Sequence, residues 1–338
     1  MLYRFLFLTL AFVTLGYSGQ SPLLNRLKKA QNGDFVVWET NKMITLLVIR
    51  FPTERSIIFE EISAPKFNNK ALGWGEWLQQ GAPGHTSWAM IEIDLTQKEI
   101  LEAYSFSRRG WLSTSSQECL LSTLLHLDMQ PLPDEKWRRI GPPPLEGEKD
   151  LRKIWNPPLF VEGVRIKNAP FEAFETTWPE DHSELAGKTL HVYFDQKVLC
   201  PLPTWIQIET GQFSASLRAI DAGHYLPLSI YRTIPKRAPE FIGSPMKTKA
   251  GGLRFLIKTP KYYKEFELYA VDARGEKKTI HLLNHSLLAR CEEEVQLEVS
   301  REELASELNP NHSYTWLLIP SVNNSLFAEL NKPFLWIP

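Results

Sequence analysis

Twenty-four prolines are spread along this 338-residue chain and cut it into short apolar runs. Proline lacks a backbone N–H and its ring clashes with the preceding helical turn, so no long helix can pass through the stretches where prolines cluster. The runs between the prolines are rich in β-branched and aromatic residues. DFVVWET, ITLLVIRF and RSIIFEEIS stand near the start, and LRFLIKTP, EFELYAVDA, EVQLEVS, SYTWLLIP and KPFLWIP near the end. Side chains of this kind fit a pleated, half-buried surface, and runs of this length read as strands. The sequence therefore predicts a mainly β protein with an α+β first part.

At 338 residues the chain is long enough for two domains. The boundary falls in PLSIYRTIPKRAPEFIGSP, residues 227–245, where prolines and charges cluster. Residues 19–236 are expected to form a curved antiparallel sheet with helices, and 237–338 a β-sandwich of short strands. In the first domain, SPLLNRLKKA reads as a short helix with Ser21 as N-cap and Pro22 in the first turn. SSQECLLSTLLHL, residues 115–127, reads as a Leu-rich helix with one apolar face. The stretch between these elements that holds Trp74 and Trp77 reads as a long loop, 130–158 as a proline-rich flap, PLFVEGVRI as one strand, and REELASEL as a short turn.

The first 18 residues have the pattern of a secretory signal: Arg4, then the apolar run FLFLTLAFVTL, then small residues at Gly16 and Ser18. The expectation is an exported protein, periplasmic or attached to the cell envelope, and peripheral to a membrane at most. The formal net charge of −1 gives no global attraction to nucleic acid. Cys119, Cys200 and Cys291 are odd in number and form no CxxC pair, which argues against a disulfide framework or a structural zinc site. No cofactor is expected, and no His/Asp/Glu spacing suggests a metal.

The segment QQGAPGHTSWAMIEIDL, residues 79–95, poses the catalytic question. His85 precedes a strand, and Cys119 stands near the start of the Leu-rich helix, where helical N–H groups favour a thiolate. GHTSW followed by SSQECLLSTLL is similar in order to permuted papain-like peptidases and acyltransferases. That resemblance implies a cysteine-dependent hydrolase or acyltransferase using Cys119 and His85. The bland alternative is that Ala82-Pro83-Gly84 turns the chain into a strand and His85 bonds locally.

A second resemblance points elsewhere. The initial helix, the hairpin MIEIDLTQKEILEAYSF, the following helix and the late pair YFDQKVLCPLPTWIQIE resemble periplasmic lipoprotein-carrier proteins. It implies an apolar pocket on the sheet, whose wall is assigned to Trp38, Trp88, Leu121, Leu124 and Leu125, and a lipid, lipoprotein or envelope-protein partner. YTWLLIP resembles a late strand of immunoglobulin-like and fibronectin type III-like sandwiches. APGHTSW and the Trp- and Pro-rich middle look like exported proteins of chlamydia-like bacteria, which implies an envelope location and no particular activity. On balance the sequence favours a non-enzymatic binding protein.

Overall fold

A computed structural model describes residues 21–338, except 41, 67–72, 113–119, 146, 182, 198, 210–213, 261–262, 264, 283–289, 292–293, 322–325 and 338. Residues 1–20, which hold the run read as a secretory signal, and Cys119 lie outside the described residues. The protein is mainly β, with antiparallel sheets and few helices.

The chain opens with α1 (Pro22–Leu27), then the strands β1 (Phe35–Glu39), β2 (Met43–Arg50) and β3 (Ser56–Pro65). Helix α2 (Trp74–Gln79) precedes β4 (Ser87–Asp94), β5 (Ile100–Ser105) and β6 (Gly110–Trp111). Helix α3 (Leu120–His126) leads into β7 (Gln130–Pro131), and β8 (Leu159–Val161) and β9 (Val164–Ile166) follow. The strands β10 (Phe171–Thr177), β11 (Thr189–Asp195), β12 (Trp205–Glu209) and β13 (Ser214–Gly223) come next. Eleven of these thirteen strands form one antiparallel sheet, in the order β6-β5-β4-β3-β2-β1-β13-β12-β11-β10-β7, while β8 and β9 make a separate hairpin.

Both faces of the large sheet are covered, which is why β1 and β2 read as continuous apolar runs instead of alternating. On one face α1 and α3 pack Leu23, Leu27, Leu121 and Leu124 against Val36, Ile49, Phe59 and Phe194. On the other face, one core forms under α2 from Val37, Leu46, Trp77 and Trp88. A second core there forms where the proline-rich segment lays Leu132, Leu159, Trp137 and Trp155 over Phe171 and Tyr193. The flap of the sequence reading is thus largely a covering layer. Its segments 138–141 and 152–155 run antiparallel, held by the Arg139–Ile154 bridge and by Ile140 N–H donating to the Lys153 carbonyl at 2.9 Å.

From residue 240 onward the strands are short: β14 (Glu240–Phe241), β15 (Met246–Lys247), β16 (Leu253–Lys258), β17 (Phe266–Asp272) and β18 (Lys277–Ile280). The strands β19 (Arg290–Cys291) and β20 (Glu294–Val299), helix α4 (Arg301–Glu307), β21 (Ser313–Pro320) and β22 (Ala328–Leu335) complete the chain. They form a five-stranded sheet around β16 and β20 and a four-stranded sheet β18-β17-β21-β22. The two sheets share one core, in which Phe255 and Leu297 from the first meet Leu268 and Trp316 from the second. Among the described residues this core includes none before Phe241.

Three local readings are corrected. Residues 74–79, taken as loop, are helix α2, because Trp77 and Leu78 bury one face against the sheet. REELASEL is helix α4 and no mere turn: Ser300 caps it, its hydroxyl accepting from Glu303 N–H at 3.1 Å, and Leu304 is buried. PLFVEGVRI is the β8–β9 hairpin, turned at Glu162 and Gly163, both with positive φ (52° and 76°) as a tight hairpin turn requires.

Candidate functional site

The sequence-assigned side chains do not converge. Trp38, Leu121, Leu124 and Leu125 share the core under α1 and α3, and Trp88 lies in the core on the opposite face of the sheet. All five are buried in packed cores, and the Trp38 indole N–H donates to the Pro203 carbonyl at 2.9 Å. Face parity separates the tryptophans: within β1, Val36 and Trp38 point to the helix side, Phe35 and Val37 away from it.

His85 is held locally. Its Nδ1 lies 2.9 Å from the Ala82 carbonyl oxygen, and its own N–H donates to the same oxygen. The ring stands edge-on to Trp88, with centroids 5.2 Å apart. Cys119, its proposed partner, lies outside the described residues. Cys200 is fully buried, its thiol directed at the Phe35 carbonyl, and burial pushes its pKa up to about 12, so it is no nucleophile at neutral pH.

A cleft opens on the α2 side of the sheet, with a volume of about 910 Å³. Its floor is Phe35, Ile44 and Ile220 of neighbouring strands, and its walls are Trp74 at the start of α2, Phe160 of the hairpin, and Tyr225. Volumes of this order hold small ligands or an extended stretch of a partner. None of the five sequence-assigned residues lines it.

The local sequence shapes the cleft through close backbone approach. Gly33 has φ +92°, and a Cβ there would lie 2.8 Å from Leu226 N, whose N–H donates to the Gly33 carbonyl at 2.9 Å. Gly223 passes so close to Phe35 that a Cβ would meet its ring at 2.8 Å. The segment between these contacts presents Tyr225 at the mouth, 76% exposed and in the left-handed region at φ 58°. A non-glycine residue held in that conformation stores local strain, and here the strained residue is also an exposed aromatic.

Most charged groups around the cleft are already engaged. Asp221 accepts from the Trp74 indole N–H at 2.9 Å, from Gly163 N–H at 2.9 Å and from Ala222 N–H at 3.0 Å, tying α2 and the hairpin to β13. Glu39 pairs with Lys66 and Arg218; burial pushes its carboxyl pKa up, but the two cations outweigh that and hold it below the usual range. His224 Nδ1 sits 2.6 Å from Asp34 Oδ1, whose other oxygen accepts from Gln31 N–H at 2.8 Å. What the cleft offers an incoming group is therefore chiefly aromatic and aliphatic surface.

A buried ionic cluster supports the same face. Arg50 Nε donates to Glu60 at 2.8 Å, and the rest of its guanidinium donates to the Leu226 and Pro227 carbonyls at 2.9 and 2.7 Å. The other oxygen of Glu60 accepts from the Trp88 indole N–H at 2.9 Å. Tyr231 then stacks on Phe106 at 3.8 Å and meets Trp88 edge-on at 4.8 Å. The segment leaving the cleft is thereby strapped across β2–β5. Among the described residues no group of His, Cys, Asp and Glu has the geometry to hold a metal ion. No described helix is long and apolar enough to cross a membrane.

The sequence did not disclose the cleft, because its lining comes from segments around residues 35, 74, 160 and 220. The available signal was the pair Trp74-Gly75, an aromatic beside a residue able to pass close to Pro227.

Comparison with known proteins gives sparse matches. The model of the CT021 protein family matches residues 45–167, less than half of the chain. Among solved structures, the hypothetical protein CT021 from Chlamydia trachomatis is similar at 18% identity and a TM-score of 0.48, over 64% of this chain and 98% of that one. The MucA/MucB complex structure of Pseudomonas aeruginosa is similar at 10% identity and a TM-score of 0.28, over 83% of this chain and 92% of that one. No curated protein matches.

Proposed function

We propose that this is an exported, non-enzymatic binding protein of the cell envelope, and that the cleft beside α2 takes an apolar or aromatic group of a lipid, a lipoprotein or a protein partner. The observation that carries the reading is the composition of the cleft. Phe35 on its floor and Trp74, Phe160 and Tyr225 on its walls are aromatic, the carboxylates of Asp221 and Glu39 are committed to hydrogen bonds and ion pairs, and Glu162 is the exposed acid of the lining. An aromatic cleft whose buried acids are occupied suits burial of apolar surface more than acid–base chemistry, which needs a group in reach of a reacting proton. The exposed, strained Tyr225 at the mouth gives such a cleft a rigid aromatic anchor.

The test is a titration with the apolar fluorophore N-phenyl-1-naphthylamine, followed by its emission and by quenching of Trp74. The reading expects saturable binding that Tyr225→Ala weakens by about tenfold, the loss of one buried aromatic contact. No saturable signal, or an affinity untouched by Tyr225→Ala and Phe160→Ala together, would remove the cleft from the account.

A further inference from the structure

A second groove lies beside strand β9, and its chemistry differs from that of the cleft. It measures about 560 Å³ and runs between the 138–155 ladder and β9. Ile140, Ile154, Pro157 and Ile166 supply an apolar floor, and Lys153, Arg165 and Lys167 stand on its rim, with no carboxylate in the lining. Among the described residues none of these three cations forms an ion pair with a carboxylate. Asp150, the acid closest to them in sequence on the flap, is taken by Arg139 and Arg152. Arg165 and Lys167 stand two apart on and beside one strand and so share a face.

The loop that joins the two sides of the ladder carries apolar side chains outward. Leu145 is 75% and Leu151 83% exposed, and Val164 on the neighbouring hairpin is 63% exposed. A protein with net charge −1 has no general attraction to anions, so this concentration of free cations is local to the groove, while on the loop between the leucines Glu148 and Lys149 offset each other. Cations around an apolar groove, together with exposed leucines on the loop that closes its ladder, match an interface of anionic headgroups over hydrocarbon.

We propose that this face of the flap docks the protein on an anionic phospholipid surface, with Lys153, Arg165 and Lys167 on the headgroups and Leu145 and Leu151 entering the boundary with the acyl chains. The site is distinct from the cleft and shares no lining residue with it. The ladder holds the groove open: Ile140 N–H donates to the Lys153 carbonyl, and Trp155 N–H to the Arg138 carbonyl at 2.7 Å. The guanidinium of Arg138 lies over Trp155, 4.7 Å from the ring centre, which anchors the ladder to the core beneath.

The test is co-sedimentation of the full chain with vesicles of phosphatidylcholine containing phosphatidylglycerol, and with phosphatidylcholine alone. The triple variant Lys153→Glu, Arg165→Glu, Lys167→Glu keeps the same first 20 residues as the wild type, so the difference between the two proteins isolates the groove. The proposal expects at least about tenfold stronger partition of the wild type onto the anionic vesicles, an advantage erased by high salt. Leu151→Ser, a second fully exposed substitution, should lower partition severalfold while leaving thermal unfolding unchanged. Equal partition of wild type and triple variant would overturn the proposal. So would protection of the three cations by inorganic phosphate without vesicle binding, which marks a small-anion site, or retention on polyglutamate without vesicle binding, which marks an acidic protein partner.

Discussion

At the scale of single residues, Glu60 concentrates the most risk. It is fully buried, yet it receives both Arg50 and the Trp88 indole. Glu60→Ala leaves the Arg50 charge without its ionic partner in a dry interior and should cost about 3–5 kcal/mol. Urea unfolding followed by tryptophan emission measures this. Its neighbour Glu61 behaves oppositely. It points to the helix side of the sheet between Leu47 and Ala89, and burial pushes its pKa above the ordinary 4.5. A carboxyl whose pKa rises on folding favours the folded state only while it is protonated. The penalty of its charge is absent below the unfolded pKa and complete above the folded one. Glu61→Gln should therefore raise the melting temperature at pH 7 and leave it nearly unchanged at pH 4. A gain of equal size at both pH values would contradict the account. The sequence shows Glu60-Glu61 as an adjacent acidic pair that alternates faces, but not that one is paired and the other penalised. That distinction depends on Arg50 and Trp88, ten and 28 residues away.

At the scale of elements, strands were more legible than helices. DFVVWET, ITLLVIRF and SYTWLLIP each match an observed strand to within a residue at either end, because β-branched and aromatic composition and proline punctuation act locally. The hairpin β4–β5 turns where TQK stands, with Asp94 accepting from the N–H groups of Thr96 and Gln97 at 2.7 and 2.9 Å. Helices α2 and α4 span six and seven residues, as α1 and α3 do, but lack the Ser-Pro start of α1 and the leucine run of α3, and depend on tertiary burial. Helix α4 did carry a readable start, Ser300 followed three residues later by Glu303, which is the spacing of a capping box. Ser300→Ala removes that acceptor and should destabilise the sandwich by about 1 kcal/mol, measured as a shift of its denaturant midpoint. The pocket wall assigned from the sequence illustrates the opposite limit. Alternation tells which residues of one strand share a face, but not which faces of distant strands coincide, and Trp38 and Trp88 fall on opposite sides.

At the scale of the whole molecule, the cores divide the chain. One group of clusters draws on residues 23–226, and another, around Phe255 and Trp316, draws on residues after 240. The strap from Leu226 to Arg237 belongs with the first group, since Arg50 and the stacked Phe106 and Tyr231 fix it to the large sheet. Two cooperative transitions in calorimetry follow from this separation. Trp316→Ala, which empties a fully buried site at the centre of the sandwich, should lower one transition by about 3–5 kcal/mol of stability and leave the other in place. A single transition moved as a whole by that substitution would show one cooperative unit instead.

Two of the prolines that divide the sequence also stand on sheet edges. The large sheet ends on one side at the two-residue strand β6 and on the other at β7, which consists of Gln130 and Pro131. In the sandwich, the outer strand β22 carries Lys332 and Pro333 in the middle of its exposed length. An open edge is a template on which a second chain can add strands, and growth from it leads to fibres. Here the large-sheet edges are too short to seed that growth, and β22 is interrupted by a residue that cannot donate to a ladder. At β7 and β22 the residues that resist strand-by-strand growth between crowded copies are therefore of the same kind that keep the helices short.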